Sequence, residues 1–475
     1  MSIPDVLGNR EKWHIECGDA RDVLREMADE SVHCVVTSPP YWGLRDYGLA
    51  PTIWGGDAEC QHEWGNELPS VSFSPQQDAS GGVGGGRLHG TRGQQGWTAG
   101  TGSGKASRGQ FCQVCGAWRG VLGLEPSPQL YVQHIVEVFQ EVKRVLRDDG
   151  TLWVVIGDSY ASIGRSGRKE SPGVGAKQAM APVNRDIVWK AGGDSNFSWQ
   201  LPGKIKPKDL VGIPWMVAFA LRDDGWWLRS DIIWAKPSCM PESVTDRPTQ
   251  SYEHVFLLAK SKRYFYDNEA IKEQSTTNDS RRPYTSNGAW QVDGRPIEQR
   301  HSGERRNGDE FSTRNKRNVW TVATSPYLGA HFATFPPALI EPMILAGTSA
   351  KGCCAECGAP WERVIDHHTS IPQRIGGDNN WIKIEHQRTD QQERAGGFYD
   401  AQSTTLGWRP TCSCDAGDPI PAIVLDPFVG AGTTVMVALR HGRRAIGIDA
   451  KPEYCEMARN RIIEDNPMFN TVGKD

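Results

Sequence analysis

The stretch that most constrains the fold lies near the C-terminus, where the apolar run Ala422-Ile423-Val424-Leu425 ends in Asp426 and is followed by Pro427-Phe428-Val429-Gly430-Ala431-Gly432-Thr433-Thr434. A run this short, bounded by turn residues, reads as a buried strand. Val435, Val437, Ala438 and Leu439 then precede Gly442, which reads as a helix with a glycine stop, and Ala445 to Ile448 reads as a second strand ending at Asp449. Such a β-turn-α-β unit makes the two strands parallel and gathers the glycines and both acids at the carboxyl edge of the sheet, where open α/β sheets bind ligands. Glycines let a ligand approach the backbone, and an acid after the second strand sits where ribose hydroxyls are held. Asp426-Pro427-Phe428 departs from the dinucleotide fingerprint. A carboxylate there suits a cationic ligand better than a pyrophosphate.

A second apolar run, Val32 to Val36, closes on Thr37-Ser38-Pro39-Pro40-Tyr41-Trp42. Neither proline donates a backbone hydrogen bond and each holds its predecessor extended, so the chain leaves the strand as a stiff arm with carbonyls exposed. Ser38 adds a short polar side chain and Tyr41 a flat face with a polar tip. Such a site suits a planar amine, for which a nucleobase is the obvious candidate. The plainer alternative is a rigid turn that only ends a strand.

Further strands are expected at Cys34 to Thr37, Leu152 to Ile156, Ser230 to Trp234 and Val255 to Leu258, with helices between them. The clearest helix starts after Ser127 with Pro128 in its first turn. It spaces Val132, Ile135, Val136, Phe139, Val142 and Leu146 on one face and is expected to stop at Gly150. A second helix is expected from about Pro214 to Arg222. Alternating elements of this kind imply an α/β fold, a mostly parallel sheet with helices on both faces. At 475 residues and 38% hydrophobic content the chain can bury a large core and hold inserted modules. No apolar run has the length of a membrane span and the N-terminus lacks a signal-like segment, so a cytoplasmic protein with no membrane partner is expected.

Twelve cysteines in such a chain are better read as metal ligands or buried thiols than as disulfides. Cys60 and His62 pair across a Gly- and Ser-rich insertion with Cys112 and Cys115. Cys354 and Cys357 pair across a polar insertion with Cys412 and Cys414. Four nitrogen or sulfur ligands in two close pairs satisfy a structural tetrahedral zinc, giving two zinc-ribbon-like modules expected at 58–120 and 350–418. Cys353 is an alternative to Cys354, and unrelated reduced cysteines are the alternative at either cluster. Cys17, Cys34, Cys239 and Cys455 read as packed thiols.

The net charge is −4, but residues 160–208 carry nine Lys or Arg against three acids, and residues 280–317 nine against five. Both stretches are polar, and solvated loops are one reading. Phosphate-contacting loops are the other, with Arg281, Arg282, Arg305, Arg306, Arg314, Lys316 and Arg317 in the 275–317 loop as the DNA-binding candidates.

Taken together, Ser38-Pro39-Pro40-Tyr41 early and the glycine loop late resemble the permuted beta group of DNA amino-methyltransferases, which methylate cytosine N4 or adenine N6. Gly18-Asp19-Ala20, Ser230 to Pro237 and Asn318-Val319-Trp320 through Phe335-Pro336 also match, so the resemblance spans about residues 13–463. It implies a Rossmann-like S-adenosylmethionine-dependent fold. It assigns Ser38, Pro39, Pro40 and Tyr41 to catalysis, and Asp426, Pro427, Phe428, Gly430, Gly432, Thr433 and Thr434 to the cofactor loop. Asp449 is assigned to the ribose, Asp19 to the adenine, and Phe335 to closing over the ligand. The polar first residue and the first proline carbonyl would accept the two amino hydrogens of a base flipped from duplex DNA, and Tyr41 would stack on it. Ser38 in place of Asp favours cytosine N4, with adenine N6 the alternative within the class. A different class, a catalytically inactive zinc-ribbon nucleic-acid-binding protein, is kept beside it. A cognate restriction endonuclease is an expected partner, and the oligomeric state, a dimer among the options, is not legible.

Overall fold

The computed structural model describes residues 2–68, 71–72, 105–106, 108–161, 205–206, 208–239, 241–242, 244–274, 313–325, 334–374, 381–386 and 400–465. Eight strands form one sheet: β1 (Trp13–Cys17), β2 (Val32–Thr37), β3 (Leu146–Ile156), β4 (Trp227–Ala235), β5 (Tyr252–Ala259), β6 (Val319–Thr321), β7 (Ile423–Asp426) and β8 (Arg444–Asp449). Their spatial order is β1-β8-β7-β2-β3-β5-β4-β6, and only β5 runs antiparallel to its neighbours. β7 lies beside β2 with Val424 opposite Cys34 and Leu425 opposite Val35, so the two motifs, nearly 400 residues apart, leave neighbouring strands at one edge.

Helices cover both faces. α1 (Ile3–Leu7), α2 (Ala20–Glu26), α3 (Pro128–Val145) and α4 (Ile213–Asp223) pack on one side, and α5 (Pro337–Gly347), α6 (Thr433–Arg440) and α7 (Pro452–Asp465) on the other. Because strand side chains alternate, Leu152, Val154 and Ile156 enter the first core while Trp153 and Val155 enter the second, which is why the run from Leu152 to Ile156 is apolar without a break. Ser127 caps α3 by accepting the Leu130 N–H, and Pro128 follows it. The helix ends at Val145, not at the expected Gly150. Leu146 is fully buried as a strand residue, and Gly150 lets β3 pass close to Leu146 and the His33 carbonyl. At the start of α4, the Asp158 carboxylate accepts the Gly212 and Ile213 N–H groups and so fastens that helix to the end of β3.

Four small antiparallel sheets sit outside this body among the described residues, two of them three-stranded. Thr52–Trp54, Gln110–Phe111 and Trp118–Gly120 form one, which therefore begins before the expected residue 58. Trp361–Arg374, Trp381–His386 and Asp400–Pro410 form the other. The second is anchored through buried His33, whose ring meets the Gly358 carbonyl and the Ile423 N–H, and through Arg147, which donates to the Cys357 carbonyl. Cys17 at the end of β1 and Cys455 on α7 lie side by side, with Cα atoms 6.1 Å apart, because α7 packs across β1. Cys34 is a packed thiol as expected, its pKa pushed up to about 12 by burial. No described helix is long and apolar enough to cross a membrane.

Candidate active site and metal clusters

At the shared strand edge, Asp426 joins the two motifs. Its carboxylate accepts the Thr37 hydroxyl at 2.7 Å, the Thr434 hydroxyl at 2.7 Å and the Phe428 N–H at 3.1 Å, and the residue is fully buried. Burial pushes its pKa up to about 6. Asp426 locks the start of the Ser38–Tyr41 arm to the glycine loop. Asp449 behaves similarly but is less enclosed, accepting Gly430 N–H at 3.0 Å and Lys451 N–H at 2.9 Å. Gly430 and Gly432 have φ values of 49° and 78°, conformations costly for residues with a Cβ, and a Cβ at Gly430 would meet nothing within 4 Å.

Asp19 caps α2 through the Arg21 N–H and holds the Arg21 guanidinium, which lies 3.4 Å from the Trp54 ring centroid. Phe335 lines a cavity of about 310 Å³ with Pro337, Met436, Arg440 and Arg461, on the flank of α6 and α7. Arg281, Arg282, Arg305 and Arg306 lie outside the described residues, as does most of each basic loop. Arg314 and Arg317 both pair with Glu273, and Lys316 lies 5.1 Å from the Trp320 ring, so these three basic side chains already have partners in the protein.

The Ser38–Tyr41 arm is held by residues that the sequence reading did not single out. Tyr41 donates its hydroxyl to Glu253 at 2.8 Å, with Ser38 Oγ 3.5 Å from the same oxygen, and Lys236 pairs with Glu253 from the neighbouring strand. Burial, then the Glu253 charge, raises the Tyr41 pKa well above its ordinary value, so the phenol stays protonated. Gly157, at the end of β3, leaves the room that the Tyr41 ring fills. Tyr131 on α3 donates to the Pro40 carbonyl at 2.8 Å, and Trp42 donates to the Glu125 carbonyl at 3.0 Å. Only Lys236 had drawn notice in the sequence. Glu253 opens an antiparallel strand, a position with no signature of its own.

Both cysteine clusters assemble. The ligand atoms of Cys60, His62, Cys112 and Cys115 lie within 4.8 Å of one another, as do those of Cys354, Cys357, Cys412 and Cys414. Sulfurs bound to one tetrahedral zinc stand about 3.8 Å apart, given Zn–S bonds of about 2.3 Å. The 3.9 Å between Cys60 and Cys112 and the 3.4 Å from Cys115 to His62 Nδ1 fit that spacing. Cys353 is excluded from the second cluster: its thiol is buried and donates to the Ile420 carbonyl.

An α/β sheet with one antiparallel strand, a glycine loop between two acids and a Ser-Pro-Pro-Tyr arm on the adjacent strand define a nucleobase amino-methyltransferase site. The family model described as DNA methylase matches residues 32–355 and 416–460. The chain is 32% identical over 445 residues to Type II methyltransferase M.Cfr9I of Citrobacter freundii, covering 94% of this chain and 86% of that one. It is 30% identical over 456 residues to Type II methyltransferase M.SmaI of Serratia marcescens, covering 96% and 92%. Among solved structures, the PvuII DNA methyltransferase (cytosine-N4-specific) aligns over 98% of this chain and 89% of that one at a TM-score of 0.43 and 14% identity. The chain belongs to the N6/N4 DNA methylase family and is an S-adenosylmethionine-dependent DNA amino-methyltransferase.

Proposed function

We propose that this protein methylates the N4 amine of cytosine in a specific sequence of duplex DNA, as the modification half of a restriction system. The observation that carries the base choice is the uncharged Ser38 at the head of an arm whose Tyr41 is held by Glu253. S-adenosylmethionine, when bound, supplies a methyl group on a sulfonium. The open space at Gly430 and the Asp449 carboxylate beside it suit that ligand, with Phe428, Gly432 and Thr433 around its methionine part and Phe335 the candidate to close over it. An exocyclic amine is a poor nucleophile because its lone pair is conjugated into the ring. Ser38 Oγ and the Pro39 carbonyl, accepting the two amino hydrogens, localise that pair and stabilise the positive charge that grows on nitrogen. Tyr41 stacks on the flipped base, a contact worth about 1–3 kcal/mol that offsets part of the unstacking cost.

Each cysteine cluster holds one structural zinc in this reading, supported by the ligand spacing. The basic loops at 160–208 and 275–317 track DNA phosphates. The protein works in the cytoplasm, and the Type II names of its relatives favour a cognate endonuclease as its partner. Single-turnover methylation tests the site. Ser38→Ala and Tyr41→Ala should slow methyl transfer by orders of magnitude while DNA affinity changes far less. Normal rates in both would place the chemistry elsewhere.

A further inference from the structure

The segment Val121–Glu125, which leaves the last strand of the first cysteine module, runs directly against the catalytic arm. Gly123 donates nothing to solvent-facing groups there: its carbonyl accepts the Gly43 N–H at 2.8 Å, and its N–H bonds the Glu125 carboxyl at 2.8 Å. Its φ of 94° brings the backbone so close that a Cβ would lie 3.3 Å from Pro40 and 3.4 Å from the Tyr41 carbonyl. Glu125 also accepts Trp42 through its own carbonyl. The arm is therefore gripped from Pro40 to Gly43 by a loop that is continuous with the metal cluster.

The link from that loop to the module is made of side chains with no part in metal binding. Glu125 meets His134 Nδ1 at 3.0 Å, and each residue is 1% exposed. His134 is sandwiched between Trp54 at 4.7 Å and Trp118 at 5.2 Å, the two tryptophans that face each other in the module's small sheet. Trp118 follows Cys115 by three residues, and the Cys112 N–H and Ala117 carbonyl close the knuckle between them at 2.7 Å. Burial pushes the Glu125 carboxyl up to about 8 and the His134 imidazole down to about 3. Both are then neutral at pH 7, the carboxylic acid donating to Nδ1 and accepting from Gly123.

We propose that the first cysteine–histidine module is a buttress of the active site, with His134 and Glu125 as positioning residues that carry the set of the metal-bound knuckle to the Pro40–Gly43 arm. The inference rests on the reading of Cys60, His62, Cys112 and Cys115 as a zinc site and of Ser38 to Tyr41 as the catalytic arm. It separates this module from a DNA-reading role. Loss of the buttress displaces the arm after substrates have bound, so it lowers the rate of methyl transfer and leaves the binding constants nearly unchanged. Displacements of the order of 1 Å at a reacting centre cost about 100-fold.

The test compares four variants of the full-length protein by zinc content, by S-adenosylmethionine and duplex affinity, and by single-turnover rate at saturating ligands. Glu125→Gln keeps both hydrogen bonds, since its amide donates to Nδ1 and its carbonyl accepts Gly123, and should retain the normal rate. Glu125→Leu should keep its zinc and both affinities within about twofold while the rate falls by about 10- to 100-fold. Should that variant fail to fold, His134→Phe carries the same expectation, because it keeps the stack between the tryptophans and removes only the bond to Glu125. Cys60→Ser should lower zinc content by one equivalent and show the same loss of rate. Glu125→Leu or His134→Phe methylating at the normal rate would overturn the coupling. So would Cys60→Ser losing DNA affinity with its rate intact, which would make the module a DNA reader. Ser38→Ala, run beside them, separates the failures: if it too retains the normal rate, the catalytic assignment is at fault, and if it alone is slow, only the buttress is.

Discussion

Replacing Asp426 by Asn should make the protein more resistant to unfolding at neutral pH. The folded chain raises the Asp426 pKa from an ordinary 3.8 to about 6, chiefly through burial. The folded state thus holds this proton more tightly than the unfolded chain does. Its contribution is complete below pH 3.8, falls as pH rises from 3.8 through 6, and is flat above. The total loss is about 3 kcal/mol, of which about 2 kcal/mol falls between pH 4.5 and 7.5. Asn copies the protonated acid. Its carbonyl can accept from Thr37 and the Phe428 N–H, while its amide donates to Thr434, whose hydroxyl already reaches the Val36 carbonyl at 3.3 Å. Urea unfolding of both proteins, followed by tryptophan fluorescence at pH 4.5 and 7.5, should therefore show the Asn variant gaining about 2 kcal/mol on the wild type over that interval. Titrating groups that do not interact with Asp426 cancel in the difference. A gap independent of pH, or one that moves against Asn as pH rises, would refute the account of Asp426 as a buried charge held at a cost.

Other outcomes follow from the same geometry. Asp426→Ala leaves the Thr37 hydroxyl and Phe428 N–H without their acceptor and should destabilise by about 1–3 kcal/mol for each orphaned donor, measured by the same titration. Asp449→Ala should weaken S-adenosylmethionine binding at least tenfold in calorimetric titration with the fold retained, and unchanged affinity would sink the ribose assignment. Elemental analysis should find about two zinc ions per chain, whereas one would mean a misread cluster. Neutralising the arginines of the 275–317 loop should weaken DNA binding and flatten its salt dependence, with the transfer rate at saturating DNA retained.

Features written in local pattern could be read from the sequence, and those that depend on distant partners could not. The β7-loop-α6-β8 unit, the proline arm after β2 and both cysteine clusters announce themselves in short local motifs, and each sits where the pattern put it. Asp426 was legible as a strand-end acid but not as a lock, because its partner Thr37 is 389 residues away. Asp19 was within reach: an acid just before a helix, with Arg21 two residues on, is a cap and an ion pair before it is a ligand. The α3 terminus was misplaced because Leu146 fits the helical spacing equally well, and only the strand pairing of β3 with β2 decides it. Glu253, Glu125 and His134 gave no signal at all, since a buried polar residue is recognisable only once its neighbours are known.

The most direct test is the identity of the product. Duplex DNA methylated by the purified protein with radiolabelled S-adenosylmethionine, digested to nucleosides and separated by chromatography with mass detection, should carry its label in N4-methylcytosine, and the label should disappear with Ser38→Ala. Label in N6-methyladenine would contradict the base choice drawn from Ser38, and a labelled product that survives Ser38→Ala would contradict the site itself.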